Sequence, residues 1–157
     1  MKTKILWVSF MSLIIPVFAS SQSTQYIKVE ANYNSSTKNV VLSFKNSSPE
    51  PILLINADQF NFFTASMITI EFLNYNNSVV YTSPPISIGT VDEMTSKVYI
   101  PIGGTKAFAY NIKTHTNIPV NLFSQSTKIK ITIYVNGRTI SNNTTRFEDE
   151  SVYVFNK

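Results

Sequence analysis

The 157-residue chain contains no cysteine, which excludes disulfide bonds, thiolate catalysis and thiolate metal sites. It has one histidine, His115, and one tryptophan, Trp7, which limits imidazole chemistry and stacking on indole rings. Charged residues make up only 14% of the chain, and no block of like charge stands out. Because a nucleic-acid interface needs a clustered basic stripe, the composition predicts no nucleic-acid partner.

The N-terminus has the three parts of a secretory signal peptide. Lys2 and Lys4 precede an apolar run over Ile5–Phe18, and the small residues Ala19–Ser21 follow. This run is shorter than the roughly 20 residues that a membrane-spanning helix needs. We therefore predict a signal peptide over residues 1–19, with cleavage after Ala19 or, as an alternative, after Ser21. No membrane span is predicted after cleavage.

Cleavage after residue 19 leaves 138 of the 157 residues, the length of one domain with a self-sufficient core. Two of the 13 basic residues leave with the signal peptide, so 11 remain against 9 acidic residues, a net charge of +2. Small secreted domains of animals usually carry disulfides. A cysteine-free exported chain is more typical of a bacterium, and we expect a secreted or periplasmic location.

From Tyr26 onward, apolar and polar residues alternate, as in strands with one packed face and one solvated face. β-branched and aromatic residues dominate these runs, which suits a pleated sheet. In the last run, Val152 and Val154 are assigned to the inward register, with Tyr153 and Phe155 between them. The other clear runs are Ile27–Ala31, Val40–Lys45, Ile68–Phe72, Val79–Thr82, Val98–Ile102, Phe108–Ile112 and Ile129–Val135.

Turn-forming residues separate the runs. Gly103-Gly104 lets the chain turn between two strands, and Asn136-Gly137 is a strong signal for the type I′ turn of a hairpin. Seven to nine strands joined in this way predict an all-β fold, an antiparallel sandwich. A closed barrel is the alternative. No helix longer than about one turn is expected after the signal peptide.

Three stretches resemble bacterial immunoglobulin-like β-sandwich domains. Val40–Pro51 is similar to their B strand with an Asn-rich corner, Ile68–Tyr81 to their C–C′ hairpin, and Val98–Ile112 to two strands joined by a Pro-x-Gly turn. The outline is also similar to proteinase inhibitor domains of the BsuPI type. The resemblance implies an immunoglobulin-like domain over residues 20–157 and an inhibitor-like role, and it carries over no inhibitory residue.

The sequence offers no catalytic set. His115 is interpreted as a solvated loop residue, because no second histidine or cysteine accompanies it. The acidic groups Asp92-Glu93 and Glu148–Glu150 lack the spacing of a calcium loop, and Glu148–Glu150 is expected in a solvated turn. No serine has a nucleophile motif with a nearby base. We predict no catalytic residue, no metal site and no cofactor, and a protein that is not an enzyme.

Aromatic side chains supply the candidate binding residues. Tyr99, Tyr134 and Tyr153 are assigned to the outward register of their strands, where they would form one aromatic face for a protein or a sugar. Phe63 faces outward if Gln59–Phe63 is a strand, and joins an apolar knob if it is a loop. Burial in the core is the alternative for the phenylalanines, and solvated tyrosines without a ligand are the alternative for the face.

The predicted function is that of a secreted, non-catalytic binding module of a bacterial cell envelope, inhibitor-like roles included. Its partner is expected to be a protein or an extracellular polymer, held by loops at one end of the sandwich. The candidate loops are Asn46–Pro51, Thr82–Ser96 and Thr114–Ser126. One alternative is a structural or assembly subunit that pairs strands along a sheet edge. The other is an extracellular hydrolase.

Overall fold

The computed structural model describes residues 26–55, 66–89, 97–115, 118–119, 121–141 and 143–157. The predicted signal peptide, Phe63 and Asp92-Glu93 lie outside the described residues. The described part contains ten strands: β1 (Ile27–Asn34), β2 (Asn39–Asn46), β3 (Ile52–Ile55), β4 (Met67–Leu73), β5 (Val79–Thr82), β6 (Ile86–Ser87), β7 (Lys97–Ile100), β8 (Thr105–Asn111), β9 (Lys128–Thr139) and β10 (Arg146–Asn156).

The alternating runs form strands because one side of each run is buried. In β9 every second residue from Ile129 to Thr139 is buried, and β2 alternates in the same way from Val40 to Asn46. The predicted all-β antiparallel fold is confirmed. The described strands number ten, against seven to nine expected, because the pattern did not separate the short strands β3 and β6.

The strands form two sheets in which every pairing is antiparallel. The smaller sheet has the order β1-β2-β8. The larger sheet has the order β5-β4-β9-β3-β7, with β10 also paired to β9 and β6 to β4. β10 follows one edge of β9, and on the other edge β4 pairs with the first half of β9 and β3 with its last three residues.

The core lies between the two sheets and contains buried apolar side chains from both. Each large apolar side chain that is fully buried stabilises the fold by roughly 1.5–3 kcal/mol. Two sheets around one core are the sandwich that the sequence predicts, while its immunoglobulin-like character stays a prediction. The largest fully buried side chains are Ile27, Leu42 and Phe44 in the smaller sheet and Ile52, Leu54, Ile68, Ile70, Phe72, Ile100 and Ile129 in the larger sheet.

Two connections between the sheets run side by side at one end of the sandwich. One leads from β2 to β3 and the other from β7 to β8. The buried Asn46 joins them, since its Nδ2 donates to the carbonyls of Glu50, Ile100 and Pro101 at 2.8, 3.2 and 3.1 Å. This side chain satisfies carbonyl groups that the change of sheet removes from the ladders.

The turn predicted at Gly103-Gly104 is confirmed. The Gly104 N–H donates to the Pro101 carbonyl at 2.9 Å, and Gly103 has a φ of 65°. Backbone in this left-handed region favours glycine.

The turn predicted at Asn136-Gly137 is wrong. Both residues lie inside β9, and the chain reverses between Thr139 and Arg146 instead. Gly137 is needed for a different reason, because a Cβ at this position would lie 2.5 Å from the Phe147 ring and 2.9 Å from the Leu53 carbonyl oxygen. Glycine in a strand often marks such a close approach.

Two of the three loops predicted to share one end of the sandwich lie at opposite ends. Asn46–Pro51 leaves the end of β2 that pairs with Thr105, whereas Thr114–Ser126 follows the end of β8 that pairs with Asn39. At about 3.3 Å per residue, β2 separates these ends by about 23 Å. A binding surface made by both loops at one end is therefore excluded.

Helical structure in the described residues is limited to two single turns between β8 and β9. These are α1 (Ile112–His115), with His115 as its last residue, and α2 (Leu122–Gln125). Within the described ranges, no helix has the length and apolar character needed to span a membrane.

Candidate functional site

Tyr99 belongs to a row of four residues on the outer face of the larger sheet, the face that points away from the smaller sheet. Tyr99 of β7 pairs with Leu53 of β3, Leu53 pairs with Arg138 of β9, and Arg138 pairs with Arg146 of β10. Residues directly opposite each other in antiparallel strands share a face. We call these four residues the cross-strand row. Tyr99 and Arg146 are its exposed ends, and Tyr99 is 53% exposed.

Tyr134 lies on the same outer face, four residues before Arg138 on β9, and pairs with Glu150. Its side chain is half-buried. Desolvation raises the pKa of its hydroxyl, and its hydrogen bond to Glu148 and the charges of Glu148 and Glu150 add to the rise. From the strand and residue spacings, Tyr134 and Tyr99 are about 16 Å apart, so the two rings share a face without adjoining.

The outward register predicted for Tyr153 is wrong. Tyr153 pairs with the fully buried Ile131, packs against the core, and donates its hydroxyl to the Val29 carbonyl at 2.6 Å. Desolvation raises the pKa of this hydroxyl. The valines, by contrast, face outward, and Val154 is 52% exposed. Tyr153 therefore joins the sheets and does not share a face with Tyr99. Phe63 lies outside the described residues.

Arg138 and Arg146 are a cross-strand pair that the sequence analysis missed. The Thr139 N–H donates to the Thr145 carbonyl, so the next pair along the ladder, Arg138–Arg146, is a non-hydrogen-bonded pair. In such pairs the Cα atoms approach to about 4.5 Å and the side chains are closest. Among the described residues, neither guanidinium has an ion pair or hydrogen-bond partner. Two positive charges thus lie side by side, and no carboxylate of the described residues, not even Glu148 on the same face of β10, forms an ion pair with them.

Arg146 of this pair also lines a groove of about 650 Å³, together with Ile55, Asn136, Phe147 and Glu148. Asn136 lies at the break where the edge of β9 changes partner from β4 to β3.

The hydroxyl of Ser66 hydrogen-bonds to the β9 backbone at this break. It accepts a hydrogen bond from the Asn136 N–H and donates one to the Asn136 carbonyl, both at 3.0 Å. A β9 residue without a strand partner on this edge therefore keeps its backbone groups paired.

One signal in the sequence pointed to the arginine pair. Arg138 and Arg146 are the only arginines of the chain, and they flank a segment rich in Ser, Asn and Thr. A hairpin that turns within this segment places them opposite each other. The incorrect turn at Asn136-Gly137 would have placed Arg138 opposite Val135 and hidden the pair.

The acidic cluster Glu148–Glu150 lies inside β10 and not in a turn, which corrects the prediction. Glu148 and Glu150 point outward, while Asp149 points inward and is only 7% exposed. Burial raises the pKa of Asp149. Because neighbouring residues of a strand face opposite sides, these carboxylates do not converge. In the part of the chain that the structure describes, no group of three or more Asp, Glu or His side chains could hold a metal ion.

No protein-family profile matches this chain, and no curated protein sequence matches it. The chain also matches solved structures, among them the following two. A protein assigned as ApaA from Bordetella pertussis is 10% identical, with a TM-score of 0.41, over 84% of this chain and 95% of that one. A protein from Archaeoglobus fulgidus is 15% identical, with a TM-score of 0.33, over 88% of this chain and 98% of that one.

Proposed function

We propose that the chain is an exported, non-catalytic binding protein of a bacterial cell envelope or exterior, and that it contacts its partner with the outer face of the larger sheet. The signal-peptide pattern of residues 1–19 supports export. The resemblance to immunoglobulin-like and BsuPI-type domains fits a binding role, inhibition included. The partner is a protein or an extracellular polymer.

The cross-strand row is the observation that carries the proposal. It combines an exposed tyrosine, an exposed arginine and the half-buried side chains of Leu53 and Arg138 on one continuous surface. Aromatic and arginine side chains are enriched at interfaces and dominate their energetics. The sheet face takes the place of the predicted end loops, because Asn46–Pro51 and Thr114–Ser126 lie at opposite ends of the sandwich and do not form one surface.

Site-specific photo-crosslinking tests this surface. A photoreactive phenylalanine analogue replaces Tyr99 or Tyr134 in the exported protein, and the matched control carries it at Ala107, an exposed position on the smaller sheet. We expect positions 99 and 134 to cross-link one and the same species and position 107 to give none. Equal cross-linking at all three positions, or none at 99 and 134, would contradict the proposal.

Export is tested separately by the mass of the protein recovered outside the cytoplasm. A chain that begins at Ser20, or at Gln22 for the alternative cleavage site, supports the proposal. A full-length chain that stays in the cytoplasm contradicts it.

Assembly by strand addition is the second candidate function, and one edge of the larger sheet favours it. Among the described strands β5 pairs only with β4, and its Val79 and Val80 are 50% and 42% exposed, next to the 79% exposed Tyr75. A free edge with exposed valines can accept a strand from another chain. Strand addition predicts an oligomer in sedimentation experiments that Val80→Lys dissociates and the control Val154→Lys does not. A monomer at every concentration contradicts it.

A further inference from the structure

We propose that Arg138 and Arg146 together form a binding site for an oxyanion, a carboxylate or a phosphate group carried by the ligand. This inference rests on the proposed function, since it assigns a ligand chemistry to the same outer face. Arg138 and Arg146 are the two arginines of the chain, and the β9–β10 ladder places them directly opposite each other.

The pair places two like charges opposite each other. Like charges directly opposite each other in a sheet repel and destabilise it. The opposed Lys28 and Lys45 of the β1–β2 ladder have Glu30 beside them, with its Oε1 2.7 Å from the Lys28 Nζ. Among the described residues, no carboxylate lies within ion-pair distance of Arg138 or Arg146. An oxyanion held between the two guanidinium groups would supply the missing negative charge.

The geometry of arginine favours a shared oxygen ligand. Each guanidinium presents a planar fork of N–H donors that matches a carboxylate or a phosphate with two parallel hydrogen bonds. Side chains at a non-hydrogen-bonded pair are close enough for both forks to reach one group. Lysines at these positions would supply charge without the fork.

The neighbours of the pair restrict what the rest of the ligand can be. Toward β3 and β7 the row continues with Leu53 and Tyr99, which offer an apolar surface that ends about 10 Å from Arg138 at the spacing of adjacent strands. Along β10 the next outward residue is Glu148, which repels a second negative group. The site therefore suits one oxyanion attached to a flat apolar or ring-shaped group that extends over Leu53 and Tyr99.

Two arginine Nε–H signals make this site directly observable, because a ¹⁵N-labelled chain has only two. The purified mature protein is titrated at constant ionic strength with sodium acetate, inorganic phosphate and N-acetylphenylalanine. N-acetylphenylalaninamide, which lacks the carboxylate, and sodium chloride are the controls. We expect both Nε–H signals to shift together and to saturate, and N-acetylphenylalanine to bind at least threefold more tightly than acetate because its ring adds apolar contact.

Comparison of the acetate and phosphate titrations distinguishes the two kinds of oxyanion. Tighter binding of acetate assigns the site to a carboxylate, and tighter binding of phosphate assigns it to a phosphate group. Arg138→Gln and Arg146→Gln should each weaken binding about tenfold or more, because each removes a charge-assisted contact. Arg146→Lys should weaken it less. Lys45→Gln removes the same charge from the exposed outer face of the smaller sheet and should leave binding unchanged.

The inference is overturned if neither signal shifts, if only one shifts, or if the shifts rise linearly and chloride reproduces them. It is also overturned if Lys45→Gln weakens binding as much as Arg138→Gln, since attraction would then depend on net charge alone. The titration needs no natural partner, so its failure is distinct from that of the proposed function. If position 99 cross-links a partner but no anion binds, the outer face is a binding surface that does not recognise an oxyanion.

Discussion

The two faces of the β9–β10 ladder differ sharply in what their side chains contact. The inward face of β10 carries Phe147, which stacks on Tyr26 just before β1 at 5.2 Å between ring centroids, and Tyr153, which donates a hydrogen bond to the Val29 carbonyl of β1. The outward face carries the exposed Arg146, which has no partner in the described residues. One face holds the sandwich closed, and the other is left available to a ligand.

The inward face has one exception to this division. Asp149 is buried between Phe147 and Ser151, where a carboxylate costs free energy unless it is paired. Burial alone therefore does not mark a stabilising residue. Substitutions on the two faces should separate three effects, namely packing, buried charge and exposed charge.

Phe147→Ala should have the largest effect. Its ring is buried, stacks on Tyr26 and covers Gly137, so its removal should lower the free energy of unfolding by about 3 kcal/mol. Val154→Ala, on the outward face of the same strand, should change it by less than about 0.5 kcal/mol. Urea unfolding followed by circular dichroism measures both. Equal losses would remove the distinction between the faces.

Gly137→Ala should come next, with a loss of about 2 kcal/mol from overpacking. The added Cβ would meet the Phe147 ring at 2.5 Å and the Leu53 carbonyl oxygen at 2.9 Å. In a Phe147→Leu background the ring atom is gone, so the same substitution should cost less. Strictly additive losses in the double variant would show that the ring is not the obstacle.

Tyr153→Phe should lower the free energy of unfolding by about 1 kcal/mol, because it removes the hydrogen bond to the Val29 carbonyl. Tyr99→Phe is the matched control on the outer face, because the exposed Tyr99 hydroxyl has no hydrogen-bond partner among the described residues, and the change should be smaller than about 0.5 kcal/mol. Thermal unfolding of the two variants gives the comparison. A larger effect at Tyr99 would mean that the sheets are not joined through Tyr153.

Asp149→Asn should stabilise the protein at pH 7 by about 1 kcal/mol, since it removes a buried charge. Burial raises the pKa of Asp149 above its ordinary value of 3.8, so the folded state binds the proton more tightly than the unfolded state. The contribution of Asp149 to stability is therefore fully present below the unfolded pKa and is lost as pH rises through the folded pKa.

The pH dependence provides the measurement for Asp149. The stability difference between Asp149→Asn and the natural chain should be greatest above the folded pKa of Asp149 and should shrink as the pH falls toward 3.8. Since the other titrating groups are common to both proteins, their contributions cancel in this difference. A difference that grows on acidification would show that the carboxylate is stabilised in the fold.

Arg146→Gln should have the smallest effect on stability, between no change and a gain of about 0.5 kcal/mol from relief of like-charge repulsion. The same variant should lose oxyanion binding, so stability and binding would separate at one residue. Chemical unfolding with and without phosphate measures this, because a bound ligand adds stability only where its site is intact. A loss above about 1 kcal/mol without ligand would assign Arg146 a structural role.

Local pattern was sufficient for most strands and for the Gly103 turn, because alternation and turn chemistry involve neighbouring residues only. It was insufficient for β10, where Val152 and Val154 alternate as regularly as Tyr153 and Phe155. Alternation indicates that the two faces of a strand carry different residues, but it does not indicate which face is buried. The register with β9 decides this, since it sets Tyr153 opposite the buried Ile131.

The Asn136-Gly137 pair shows the same limit for a turn. Its local preference for a tight reversal is overridden because the ladder with β10 runs through Gly137 and the ladder with β3 begins there. The candidate site followed from this outcome, because only the longer β9 places Arg138 opposite Arg146. A local sequence pattern describes one segment at a time, so it cannot show that residues of two strands lie opposite each other.

The order of apolar and polar residues was enough to predict an all-β chain, because period-two alternation is a property of each segment. The lack of cysteine was enough to exclude disulfide cross-links. Tertiary structure alone decided the inward phase of β10, the passage of β9 through Gly137 and the meeting of the two arginines. These features depend on which strand lies beside which, and that choice is made by the burial of whole faces and not by any one segment.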